Sequence, residues 1–155
     1  MNSSGQKIRL EDIITILEEK LRDGASVTFS PDGVSMLPLI RPGKDSVTLS
    51  GHIKPRVGDT VFYKRPSGQF VLHRIVAKEE DAFVLLGDNQ LVLEKGVKED
   101  WVIGVVTSIW RGEKELKRDS KKLSIYLKVI LPCHRLCLRS RRFLGKIKRK
   151  IKGNH

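Results

Sequence analysis

"DTVFYKRPSGQFVLHRIVA", Asp59–Ala77, decides the fold. Two runs of β-branched and aromatic residues flank Pro66-Ser67-Gly68-Gln69, which reads as a hairpin loop. In the second run, strand alternation puts Val71, His73 and Ile75 on one face and Leu72, Arg74 and Val76 on the other. Short runs of the same texture lie on both sides: "SVTF" from Ser26, "DSVTL" from Asp45, "AFVLLGD" from Ala82 and "WVIGVVTSIW" from Trp101. Gly, Pro and Asp separate them. The spacing predicts a mainly β fold, a compact sheet or partial barrel, without internal repeats.

The ends differ from this body. "EDIITILEEKLR", Glu11–Arg22, has Ile13, Ile14, Leu17 and Leu21 at helical spacing, with Gly24 at the position of a helix-ending glycine. It predicts an amphipathic helix docked on the body. "RGEKELKRDSKK", from Arg111, reads as a polar link, and the segment beyond it as helical with a break at Pro132. The expected organisation is an N-terminal helix (1–24), a β domain (25–112) and a basic helical tail (113–155).

The net charge of +12 sits in that tail. Residues 1–116 hold 16 Lys+Arg against 17 Asp+Glu, whereas 117–155 hold 14 against one, Asp119. Cys133, Leu136, Cys137, Phe143, Leu144, Ile147 and Ile151 fall within roughly 120° of a helical wheel, with Lys and Arg filling the rest. Three readings fit: an interfacial membrane helix, a helix packed on the body, or a nucleic-acid contact. Cys133 and Cys137 form no disulfide framework, and "CHRLC" has too few ligands nearby to hold a metal. The N-terminus lacks an apolar leader core, and no run approaches the roughly 18 apolar residues of a membrane span. The expectation is a cytoplasmic protein, peripheral on the inner membrane face.

The chemistry centres on "DGVSMLPLI", Asp32–Ile40. Ser35 stands between Gly33 and Pro38, and a serine nucleophile needs a base within reach and N–H groups for an oxyanion. Of four histidines, His134 and His155 belong to the tail and His52 to a loop. His73 lies on a strand face with apolar neighbours, where it is either a structural residue or a neutral base. Asp88 follows the strand "VLLG", as turn chemistry or as the third member of a serine, histidine, carboxylate order.

"GVSMLPLI", "VGDTVFY", "VLHRIVA", "LLGDNQ" and "VIGVV", in that order, resemble the boxes of the type I signal peptidase family. Its wider clan includes the self-cleaving domains of LexA-type repressors. The likeness spans about residues 27–110. It implies the coiled sheet of that clan, Ser35 as nucleophile, a turn shaped by Met36 and Pro38, and an oxyanion hole from the Ser35 N–H with help near Gly33. The bacterial branch has a Lys-Arg pair where this chain has His73-Arg74, so the chain is similar to the histidine branch, with His73 as general base. That branch follows its Gly-Asp-Asn box with an Asp-Asp pair. Here "GDNQLVLEK" puts Asp88 in the box and Glu94 at the orienting position, and either carboxylate could orient His73.

The resemblance implies a serine endopeptidase without a metal or organic cofactor, acting on a precursor peptide or protein. The expected further partner is an anionic membrane surface, met by the tail. The departures from the family are Glu94 and the lack of a transmembrane helix. Two rivals stand beside this reading: a LexA-type self-cleaving regulator with a nucleic-acid-binding tail, and an inactive binding domain on a membrane surface. No helix-turn-helix pattern precedes the β body, which argues against nucleic acid as a partner.

Overall fold

The computed structural model describes residues 10–152 of the chain, and the side chains of residues 15–144. Ile13, Ile14, Ile147 and Ile151 of the expected apolar stripes have side chains outside that range, and His155 lies outside the described residues. The first helix, α1 (Leu10–Arg22), ends as the sequence predicts. Gly24 takes φ +90, Ala25 N donates to Lys20 O at 3.0 Å and Gly24 N to Leu21 O at 3.3 Å. This left-handed cap satisfies carbonyls of the last turn, and a side chain there would be strained. Leu17 and Leu21 face the body and are buried.

Eight strands follow: β1 (Ser26–Phe29), β2 (Asp45–Ser50), β3 (Thr60–Lys64), β4 (Phe70–Glu79), β5 (Ala82–Leu86), β6 (Glu94–Lys98), β7 (Val102–Arg111) and β8 (Lys114–Lys117). They form one open antiparallel sheet in the order β1-β2-β7-β3-β4-β5-β6, with β8 paired to β7. The mainly β expectation holds, with a helix at each end of the described residues. The hairpin β3–β4 has the register that its Pro-Ser-Gly loop implies: Tyr63 opposite Val71 and Val61 opposite His73.

Central β3 is buried on both faces, which is why "TVFY" is apolar without alternation. Phe62 and Leu72 join one cluster with Met36, Leu39, Val47, Leu49 and the helical Leu17, Leu21, Leu123 and Leu131. Val61, Tyr63, Val71 and Ile75 join the other with Phe83, Leu85, Val97 and Val105. His73 thus shares its face with Val71 and Ile75, as alternation requires.

The C-terminal part differs from expectation twice. The segment read as a polar link forms the hairpin β7–β8 across Gly112-Glu113, so the boundary drawn at 112/113 falls inside the sheet. Leu116 packs on the core and Ser108 Oγ donates to Glu115 at 2.5 Å, which gives this polar strand its place. The helix also does not break at Pro132. Lys121–Ile125 (α2) runs through a π-helical stretch, Tyr126–Ile130, into Leu131–Lys152 (α3). Leu131 N donates five residues back, to Tyr126 O. Proline cannot donate to residue 128, and the widened turn just before it accommodates that loss without ending the helix.

Candidate active site

Ser35 sits half-buried in the turn between β1 and β2. Met36 is buried in the core beneath it, while Gly33 and Pro38 are exposed at the rim. Both ends of the turn are fixed. At one end Asn89 N donates to Ser35 O at 2.8 Å and Asn89 Nδ2 to Val34 O at 3.1 Å. At the other, buried Asp45 accepts from Arg41 N at 2.9 Å and from the Arg41 and Arg111 guanidiniums, and Arg111 Nη2 donates to Leu39 O at 3.2 Å. Burial raises the pKa of Asp45, but the Arg41 and Arg111 hydrogen bonds outweigh it and hold the carboxyl well below the usual range. The Ser35 N–H donates to no peptide carbonyl among the described residues.

Gly87 makes the close approach possible. A Cβ there would stand 2.7 Å from Ser35 O and 3.0 Å from the Gln90 side chain. Gly87→Ala is therefore expected to destabilise the fold by about 1–3 kcal/mol, because a backbone oxygen has to move. The urea midpoint checks this; an unchanged midpoint would show that the turn yields freely.

Ser35 and His73 line one cleft of about 250 Å³, with Met36, Arg65, Leu72 and Gln90 on its walls. The ladder explains the meeting. β5 pairs with β4 only from Arg74 onward, opposite Leu86. Past Leu86 the chain leaves the ladder at Gly87 and packs against Ser35, one position along from His73. No hydrogen bond joins Ser35 to His73 among the described residues.

The imidazole is 4% exposed, and burial pulls its pKa down to about 4. Glu94 acts against that pull and Arg65 with it. His73 is consequently neutral across the physiological range. Its Nδ1 lies 3.4 Å from Tyr63 Oη and 3.8 Å from Glu94 Oε2. Tyr63 donates its proton to Glu94 at 2.7 Å, so its oxygen can only accept from Nδ1–H. This assigns the tautomer and leaves the lone pair on Nε2. Arg65 binds both Glu94 oxygens, and chiefly through that pairing lowers the Glu94 pKa. Burial and the Glu94 contact push the Tyr63 hydroxyl up.

The two candidate carboxylates separate in space. Glu94 stands beside the imidazole. Asp88 is fully buried and receives Arg74 Nε and Nη2 at 2.8 and 2.7 Å and Tyr126 Oη at 3.1 Å. It ties β4 to the C-terminal helix. Tyr63 was missed from sequence, although the Pro-Ser-Gly hairpin register places it beside His73 on the same face. Comparison with family models, with curated proteins and with solved structures returns no match for this chain.

Proposed function

We propose that the protein is a serine endopeptidase of the signal peptidase and LexA-like type, acting on a precursor peptide. The observation that carries this reading is the shared cleft of Ser35 and a His73 whose Nδ1 faces Tyr63 and Glu94. Ser35 Oγ attacks the scissile carbonyl, and Nε2 takes its proton and returns it to the leaving amine. The imidazolium so formed is stabilised by Glu94. The Ser35 N–H, which donates to no peptide carbonyl among the described residues, would meet the oxyanion.

The cleft also has a place for an extended substrate. Gln69 O accepts from Arg65 N, and Ile75 exchanges bonds with Gly58 and Asp59. Odd-numbered residues of β4 thus bond toward β3. The peptide groups of Phe70 and Leu72 turn the other way, to the side that β5 leaves unpaired, and a peptide can add a strand there. We place the enzyme in the cytoplasm, at the inner membrane face; no helix among the described residues is long and apolar enough to cross a bilayer.

The test is labelling with a serine-directed fluorophosphonate, read by intact mass. One adduct on the wild type and none on Ser35→Ala is expected. Equal labelling of the two, or none on either with full fold retained, overturns the reading. The pH dependence follows from His73. The base works while neutral, so labelling stays on its plateau through pH 6.5 and falls only toward pH 4. An inflection near 6.5 would mean a solvated imidazole. Stability has the same origin: between pH 6.5 and 4 the unfolded chain binds a proton that the folded chain refuses. Lowering pH across that window should cost up to about 3 kcal/mol.

A further inference from the structure

The helix α3 shows one side to the body. Leu131 is buried, and His134, Arg135 and Leu138 are half-buried. His134 Nε2 lies 3.2 Å from Asn89 Oδ1, and Arg135 Nη2 lies 3.9 Å from Asp88 Oδ1. At 100° per residue these four positions centre roughly 170° from the centre of the apolar stripe. The described residues of the stripe are not packing surface. Leu136, Phe143 and Leu144 are 66%, 65% and 61% exposed, and Cys133 and Cys137 are exposed with them. Arg139 and Arg141 are exposed on the arcs that flank the stripe.

We propose that α3 lies on an anionic lipid bilayer, with Leu136, Phe143 and Leu144 in the acyl boundary and Arg139 and Arg141 at the headgroups. Both halves of the surface find a partner there and in no rival setting. A nucleic acid would meet the arginines but leave the three apolar side chains in water. A second copy would cover the stripe but bring like charges of two basic helices together. An anionic bilayer satisfies the stripe by burial and the arginines by attraction, and needs no spanning length. The bilayer then lies on the far side of α3 from the Gly87–Gln90 loop that holds Ser35. The proposal does not depend on the peptidase reading.

Flotation of the full chain tests it, with vesicles of phosphatidylcholine alone and with about one third phosphatidylglycerol. Two variants on exposed positions accompany it: Leu136→Glu/Phe143→Glu/Leu144→Glu and Arg139→Gln/Arg141→Gln. Unchanged thermal midpoints show that both fold. Expected is flotation on the anionic vesicles, reduced at least about tenfold in each variant. Equal flotation on phosphatidylcholine alone, or an apolar variant that floats like the wild type, overturns it. So does absence of flotation, whether accompanied by salt-sensitive duplex binding or by a dimer that the apolar variant abolishes.

Discussion

His73→Ala is expected to lower the rate of Ser35 acylation by about three orders of magnitude. A serine hydroxyl alone is a poor nucleophile at neutral pH, and a positioned base contributes roughly 10²–10⁴-fold. Members of one proton-transfer unit also fail together rather than additively. The supporting groups grade below this. Glu94→Gln removes the charge that stabilises the imidazolium but keeps an acceptor for Tyr63. Tyr63→Phe removes the oxygen that accepts from Nδ1–H. Each should cost less than His73→Ala and should alter the pH profile, which a merely structural role would not. Rate constants for fluorophosphonate labelling across pH check all three. Labelling of His73→Ala within tenfold of wild type would remove the imidazole from the mechanism.

What the sequence made legible was whatever depends on local pattern. Alternation in "QFVLHRIVA" put His73 on the face of Val71 and Ile75, and that is where it lies. Gly24 ended α1 because a left-handed cap is a one-residue signal. The position of Ser35 in a tight turn was equally local. What failed to show was what depends on partners distant in the chain. Glu94 and Asp88 are six residues apart and equivalent on paper, yet β6 returns Glu94 to Leu85 and to His73. Asp88 meets Arg74 and, through a helix that begins some thirty residues later, Tyr126. The strand β8 was hidden for another reason. "KELK" has one apolar residue, and only its pairing with β7 makes it a strand. Pro132 misled because a proline forbids one hydrogen bond but does not by itself decide whether a π-helical turn absorbs the loss.

Asp88→Ala should cost the fold about 3–5 kcal/mol, a large part of the roughly 5–15 kcal/mol a domain of this size has. Asp88 and Arg74 are 0% and 2% exposed, so water cannot take over when one partner leaves. Among the described residues the guanidinium would keep only Gly58 O as acceptor, at 2.7 Å, and Tyr126 Oη would lose its own. An uncompensated buried charge is costlier than the pair was stabilising, so the sign is clear even though an ion pair in a core adds little by itself. The same argument predicts the rescue. Arg74→Met/Asp88→Leu removes both charges, keeps most of the volume, and should recover at least half of the loss. Urea midpoints at constant slope measure it. A loss below about 1 kcal/mol for Asp88→Ala would mean that the site is wetter than its burial implies. A double variant no better than the single would locate the cost in the hydrogen bond to Tyr126, and hence in the docking of the helix rather than in the charge.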